Sequence, residues 1–187
     1  MVACQNASDD ARAALRSARK GTPRLLTVLP LPPAKPATVS AMFPADDPVV
    51  AELLASPTLM RLAYVGAHGQ PHVVPIWYRY ADGRFTVVTG PKADKVRHIS
   101  QRPRVSFTID TDRPPYRVLM VEGVAAVEPV EGMAPEYPEI VRRFLGPGAD
   151  AYLGRMEGRV KRQVRITIEP KTWRILDFLK RTPKSLS

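Results

Sequence analysis

A threonine followed by closely spaced basic residues is the arrangement in this sequence best suited to binding an anion. Thr89 ends a strand-like segment, a short loop follows, and Lys92, Lys95 and Arg97 come at or just inside the start of a helical segment. Backbone amides at a helix N-terminus carry partial positive charge, and lysine and threonine side chains add hydrogen bonds to it. The spacing therefore fits a phosphate group, but it also fits the solvated face of an amphipathic helix.

Other side chains that could do chemistry are scattered, and most of them suit packing or surface roles equally well. His68 and His72 have the four-residue spacing of a helical metal site. Gly66, Gly69 and Pro71 instead predict a hairpin there, so we expect no metal site. Cys4 is the only cysteine, which excludes an internal disulfide and a thiolate cluster. The candidate proton donors are Tyr64, Tyr78, His72 and His98.

The elements that would position these residues are mostly antiparallel strands. Asp47 followed by Pro48 predicts the N-cap and first residue of a short helix. Asp82-Gly83 is a strong tight-turn signal between two strands, and Gly123 predicts a bulge or bend in a longer one. This order favours a small barrel with helical insertions. The strand-like segments are residues 59–65, 72–80, 84–89, 104–109, 116–127, 160–168 and 172–178, and helices are predicted over 92–101, 134–144 and 149–156.

Length, composition and charge limit how the chain can be organised into domains. Its 187 residues fit one domain with tails, and we predict a disordered or loosely attached, Pro-rich extension over residues 1–41, a cofactor-binding domain over 42–180 and a basic tail over 181–187. The formal net charge is +10, with ten basic and three acidic residues after position 154. That excess predicts either a solvated basic face or a surface that attracts anions. No apolar run is long enough to span a bilayer, and together with the single cysteine this predicts a cytosolic protein.

Several segments, taken in order, resemble the flavin-binding split barrels that are similar to pyridoxamine 5'-phosphate oxidase. The resemblance covers about residues 46–178 and leaves the N-terminal extension outside. The ordered set, rather than any single motif, carries it. The segments are residues 69–78 (GQPHVVPIWY), Asp82-Gly83, Thr89, residues 95–99 (KVRHI), 102–105 (RPRV), 120–125 (MVEGVA) and 168–173 (IEPKTW), followed by Asp177-Phe178.

This resemblance implies a mainly β protein built as a six-stranded antiparallel split β-barrel. It implies a homodimer with two cofactor sites at the subunit interface. In that family the isoalloxazine or deazaflavin ring lies along the second strand, and the phosphate is held by the third strand and the following helix. Ala93 departs from relatives that carry a basic residue there, and Lys92 is the expected substitute. The implied ring neighbours are Val74, Pro75, Ile76 and Trp77, and the implied phosphate ligands are Thr89, Lys92, Lys95 and Arg97.

The resemblance also extends to the choice of cofactor. Pro75 and Trp77 on the second strand, and the ending from Trp173 to Phe178, are most similar to the branch that uses the deazaflavin coenzyme F-420. The basic C-terminal stretch suits a coenzyme that carries a phosphate and a polyglutamate chain. An oxidoreductase is therefore implied, which transfers a hydride between F-420 and a small organic substrate while the protein supplies orientation and electrostatics. An FMN-dependent oxidoreductase of the same class is the alternative.

Two hypotheses in which the protein is not an enzyme remain open. Some split barrels bind flavin or haem without turnover, as carriers or sensors. A nucleic-acid partner is disfavoured because aromatic residues do not alternate with the basic residues between Arg155 and Arg165. The sequence does not indicate which substrate is used.

Overall fold

The computed structural model describes residues 43–180, and strands dominate this part of the chain. The predicted extension over residues 1–41 and the predicted tail over 181–187 lie outside the described residues. No described helix is long and apolar enough to cross a membrane. The elements are α1 (Pro48–Ala55), β1 (Met60–Val65), β2 (Pro71–Ile76), β3 (Arg79–Ala81), β4 (Arg84–Thr89), α2 (Asp94–Gln101), β5 (Arg104–Asp110), β6 (Arg117–Glu131), α3 (Tyr137–Leu145), α4 (Ala149–Met156) and β7 (Arg162–Asp177).

The seven strands form one antiparallel sheet in the order β2-β1-β5-β6-β7-β4-β3. Its two edge strands are consecutive in the chain, separated only by Trp77 and Tyr78. If the sheet were flat, the spacing between strands would put these edges about 29 Å apart. The connection from Ile76 to Arg79 can span at most about 11 Å. The sheet must therefore curl, which agrees with the predicted barrel-like architecture.

The predicted count of six strands is not confirmed. The segment predicted as one strand over residues 72–80 is divided, because β2 pairs with β1 whereas β3 pairs with β4. In the opposite sense, the two predicted closing strands are one continuous strand, β7. Pro170 lies inside β7 without ending it, since it pairs with Gly123 at a shift in register.

Gly123 marks an irregularity in β6, as the sequence predicts. Glu122 pairs with Thr172 and Gly123 with Pro170, so Lys171 is the extra residue on β7. A Cβ atom at Gly123 would lie 2.6 Å from the Glu169 carbonyl oxygen and 2.8 Å from Ile168 Cγ2. Only glycine therefore lets the two strands approach this closely.

The predicted helix start and tight turn are both confirmed. The Asp47 side chain accepts hydrogen bonds from the Val49 and Val50 amides at 2.9 and 3.3 Å, and Pro48 is the first residue of α1. Asp82 and Gly83 have φ angles of +52° and +74°, which a tight hairpin between right-twisted strands requires. The core that these elements enclose is built on fully buried large side chains: Leu53, Met60, Leu62, Tyr78, Phe85, Ile99, Ile109, Leu119, Ile140, Ile166 and Ile168.

Candidate cofactor site

The structure brings Thr89 and Lys95 into contact. Thr89 is the last residue of β4, and Lys95 is the second residue of α2. The Lys95 Nζ atom donates a hydrogen bond to the Thr89 hydroxyl at 3.3 Å. Burial lowers the pKa of the Lys95 ammonium, and the neighbouring Asp94 carboxylate partly opposes this shift. Within residues 43–180, no carboxylate oxygen lies within 4.0 Å of this ammonium. A half-buried cation without a contacting anion is a favourable place for a ligand phosphate.

The backbone at the start of α2 adds to this site. Ala93 occupies the N-cap position and makes no side-chain hydrogen bond to the first turn. The amides of the first turn are therefore left without the side-chain partner that serine, threonine or aspartate would supply. An anion placed beside Lys95 would meet both the ammonium and the positive end of the helix.

The two other predicted phosphate ligands, Lys92 and Arg97, lie on the exposed surface near the Thr89–Lys95 pair. The Arg97 guanidinium lies 3.7 Å from the Asp94 carboxylate. Its Nη2 atom also lies 3.3 Å from Nε2 of His98. Arg97 is thus engaged within α2, and Lys92 belongs to the loop before the helix.

The four predicted ring neighbours divide into different environments. Val74 and Ile76 are partly buried and pack against the main core, whereas Pro75 between them is exposed. Trp77 follows the end of β2, and its ring stacks on that of Phe144 in α3, with centroids 5.7 Å apart and planes 8° from parallel. A ring lying along this segment would meet the edge and outer face of β2, with the side chains of Val74 and Ile76 turned inward.

Arg143 of α3 was not predicted from the sequence, although its contacts fix the segments that surround Trp77. Its Nη2 atom donates to the carbonyl oxygens of Leu54 and Ser56, at 2.5 and 2.6 Å, and to the Tyr78 hydroxyl at 3.1 Å. The guanidinium also lies over the rings of Tyr78 and Phe144, at 4.6 and 5.2 Å. Nothing in the local sequence signals these contacts, because the acceptors lie 65 to 89 residues away.

The predicted proton donors are packed side chains. Burial raises the pKa of Tyr78, although its hydrogen bond and charge interaction with Arg143 oppose that shift. The rings of Tyr64, His72 and His98 stack on one another at centroid distances of 5.2 to 6.2 Å. His98 is a buried residue of α2. No described geometry directs any of these groups at a reacting atom, so a protein proton donor is not assigned.

An outer face of the sheet, formed by β1, β2, β5, β6 and the second half of β7, carries exposed apolar side chains. Val73 is 63% exposed, and Val65, Met120 and Val124 are 36 to 40% exposed. Two cavities of about 360 and 550 Å³ lie on this face. Polar pairs interrupt it, including the Arg61–Asp110 ion pair and a hydrogen bond from Thr172 to Glu122. We call this the β1–β2 face.

A further cavity, of about 490 Å³, opens beside Thr89. We call it the Thr89 cavity; one wall runs from Val88 to Pro91, and the facing wall contains residues 159–163 and Tyr137. The Tyr137 hydroxyl lies 3.1 Å from that of Tyr152. Burial and this neighbour raise the pKa of Tyr137, so its hydroxyl keeps its proton at neutral pH. Of the residues that line this cavity, only Thr89 was predicted from the sequence to contact a ligand.

Comparisons with known proteins agree with this architecture. Residues 47–176 match the sequence model of the family described as pyridoxamine 5'-phosphate oxidase. A 5a,11a-dehydrotetracycline/5a,11a-dehydrooxytetracycline reductase of Streptomyces rimosus is 35% identical over 80 residues, which cover 38% of this chain. The match spans 56% of the length of that relative.

Two solved structures have the same fold. One is a conserved hypothetical protein from Mycobacterium tuberculosis, with 26% identity, a TM-score of 0.58, and coverage of 75% of this chain and 88% of the other. The second is described as an F420 reductase, with 24% identity, a TM-score of 0.53, and coverage of 66% and 94%. At these identities, the similarity shows the fold of the described domain.

Proposed function

The chain belongs to the pyridoxamine 5'-phosphate oxidase family, and we propose that it is an oxidoreductase transferring a hydride between the deazaflavin coenzyme F-420 and a small organic substrate. The observation that carries the proposal is the contact between Lys95 and Thr89 at the uncapped start of α2. It supplies an ammonium, a hydroxyl and backbone amides to one anion, which is what a cofactor phosphate needs. The similarity to a relative named as a reductase supports the same class of activity.

F-420, rather than FMN, is proposed on two features. Pro75 and Trp77, and the ending from Trp173 to Phe178, resemble the F-420 branch of the family. The excess of basic residues after position 154 suits a coenzyme with more negative charge than FMN. FMN remains the alternative cofactor in the same site.

A bound deazaflavin or flavin supplies the hydride chemistry, and the protein's part is to bind, orient and shield it. Lys95 and Thr89 would fix the phosphate end. The β2 backbone, which Val74 and Ile76 anchor in the core, would contact the cofactor ring. Trp77, whose side chain stacks on Phe144, would lie beside that ring. None of these residues acts as a nucleophile in this proposal.

A fluorescence titration with F-420, and separately with FMN, tests the cofactor assignment. We expect F-420 to bind with a micromolar Kd, and Lys95→Ala to weaken it at least tenfold, which corresponds to about 1.4 kcal/mol. Arg155→Ala is the matched control, because it removes an exposed cation of α4 that does not line the Thr89 cavity. Tight binding of FMN alone would change the cofactor. Binding of neither would end the oxidoreductase proposal and leave a haem carrier to be tried.

We further propose that the protein is a homodimer with the cofactor sites at the interface, formed through the β1–β2 face. Exposed Val65, Val73, Met120 and Val124 give this face the apolar surface that a stable interface buries. Sedimentation should report twice the chain mass for the native protein. Val73→Asp should yield monomers, whereas Ala151→Asp on the exposed side of α4 should leave the dimer intact. A monomeric native protein would contradict the proposal.

A further inference from the structure

Helix α3 is held against the break between β2 and β3 at more than one point. Arg143 donates a hydrogen bond to the Tyr78 hydroxyl at 3.1 Å, and its guanidinium lies 4.6 Å from the centre of that ring. One turn earlier in α3, the Glu139 carboxylate accepts a hydrogen bond from Arg79 Nε at 2.6 Å. Because Tyr78 is also fully buried, the position of α3 relative to the break is fixed. Trp77 is the residue that precedes these two anchored positions in the chain.

Phe144 links the position of α3 to the orientation of Trp77. The two rings stack with centroids 5.7 Å apart and planes 8° from parallel, an arrangement that is favourable beyond the area it buries. Phe144 is itself held from other directions. The Arg143 guanidinium lies 5.2 Å from its ring centre, and the Tyr78 ring meets it edge-on at 5.8 Å. Two consecutive residues of α3 therefore contact the two consecutive residues of the break.

A small core joins Trp77 to the end of β4, where the proposed phosphate site begins. Trp77 and Phe144 both pack against this core, which contains the buried Val88 of β4. Val88 directly precedes Thr89, whose hydroxyl accepts the hydrogen bond from Lys95. Trp77 therefore belongs to the same part of the barrel as the proposed phosphate site. This proximity supports its assignment as a neighbour of the cofactor ring.

We propose that Phe144 is a positioning residue of the cofactor site, which holds the Trp77 indole in the orientation that borders the cofactor ring. Phe144 does not touch the cofactor in this proposal and acts through Trp77. An indole that is already oriented loses less conformational entropy when the ring binds, so the stack raises affinity at the ring end. The inference rests on the proposed function for the location of the ring. It predicts that the contacts of the phosphate with Lys95 do not depend on Phe144.

The test compares F-420 with its deazaflavin nucleoside, which keeps the ring and lacks the phosphate. Phe144→Leu, which keeps an apolar side chain but removes the aromatic face, should weaken both ligands about fivefold in fluorescence titrations. Lys95→Ala should weaken F-420 and leave the nucleoside unchanged. Phe144→Tyr restores the aromatic face and should restore native affinity for both. Leu145→Ala is the matched control, because it shortens the next residue, which is 37% exposed, and should change neither affinity.

The fluorescence of Trp77 reports the same contact without any ligand. Trp77 and Trp173 are the only tryptophans, so Trp173→Phe leaves Trp77 as the single emitter. In that background, Phe144→Leu should increase the quenching of Trp77 by acrylamide, and Phe144→Tyr should not. If the native protein binds neither F-420 nor FMN, the proposed function fails, and unequal quenching in the two variants still shows that Phe144 fixes Trp77.

Three results would overturn the positioning role of Phe144 while the proposed function stands. The first is F-420 affinity in Phe144→Leu equal to that of the native protein. The second is an equal loss of affinity in Phe144→Leu and Phe144→Tyr, because a role of the aromatic face requires the tyrosine variant to recover. The third is a loss of F-420 affinity in Phe144→Leu that the phosphate-free nucleoside does not share, because the substitution would then act away from the ring.

Discussion

Replacing Arg143 with alanine should destabilise the protein far more than replacing its neighbour Arg142. The Arg143 Nη2 atom has two protons, which three acceptors share: the carbonyl oxygens of Leu54 and Ser56 and the Tyr78 hydroxyl. Those carbonyls belong to the end of α1, where no basic residue of the helix itself lies in the last turn. Arg143 therefore ties α1 to α3 and to the break between β2 and β3.

The size of the effect follows from the groups left behind. Losing two charge-assisted hydrogen bonds costs about 1.5 to 3 kcal/mol each when the partners are buried, and less here because Arg143 is only half-buried. We expect Arg143→Ala to lower the free energy of unfolding by about 2 to 4 kcal/mol. With a urea m-value of about 2 kcal/mol/M, the midpoint should fall by about 1 to 2 M.

Urea denaturation followed by circular dichroism measures this shift. Arg142→Ala is the control, since its 3.1 Å ion pair with Asp150 joins two exposed side chains and such pairs contribute about 0 to 1 kcal/mol. In a Trp173→Phe background, Trp77 should also emit at longer wavelength in the Arg143→Ala variant, because Phe144 loses the guanidinium above it. A midpoint shift no larger than that of Arg142→Ala would refute the assigned role.

Two further predictions concern the sheet and the phosphate site. Gly123→Ala should cost about 1 to 3 kcal/mol in urea denaturation, because its Cβ would meet the β7 backbone at 2.6 Å. Gly154→Ala in α4, with no atom within 4 Å, should be neutral or stabilising, and equal effects would contradict the argument. Since the pKa of Lys95 lies below its ordinary value of 10.5, F-420 affinity in titrations at increasing pH should fall before pH 10.5. The unfolded chain binds more protons in that window, so the free energy of unfolding rises with pH there, as deprotonation removes the cost of burying the Lys95 charge. A loss of F-420 affinity in this pH range therefore does not reflect unfolding. Lys95→Arg should remove the pH dependence of F-420 binding, and a pH profile that this substitution leaves unchanged would contradict the prediction.

The sequence predicts those features of the fold that depend on a few neighbouring residues. The N-cap at Asp47 and the turn at Asp82-Gly83 are local signals, and both are confirmed. The division of β2 from β3 is not local. Within residues 72–80, large apolar side chains recur at every second position across Trp77 and Tyr78, so this spacing predicts one strand. The break arises because one half pairs with β1 and the other with β4, and a single sequence does not specify strand partners.

The same distinction applies to the candidate site. Thr89 and Lys95 are six residues apart, and the change from strand to helix between them predicted that they would meet. The contacts of Arg143 and the wall formed by Arg159 and Lys161 depend on elements far apart in the chain. Whether those residues touch is decided by how the barrel closes and how β7 registers with β4. No residue spacing encodes that register directly.

The ion pairs among the described residues bear on the two interpretations of the basic C-terminal stretch. Several of its cations are paired, including Arg162 with Glu131, Arg165 with Glu128 and Glu136, and Lys171 with Glu169. Among the described residues of this stretch, Arg155, Arg159, Lys161 and Arg174 have no carboxylate oxygen within 4.0 Å, and of these Arg159 and Lys161 line the cavity beside Thr89. Lys95 adds a half-buried cation at the adjoining site. Part of the charge of β7 is therefore neutralised by ion pairs, and the unpaired Arg159 and Lys161 favour an anion over a neutral group at this end of the barrel.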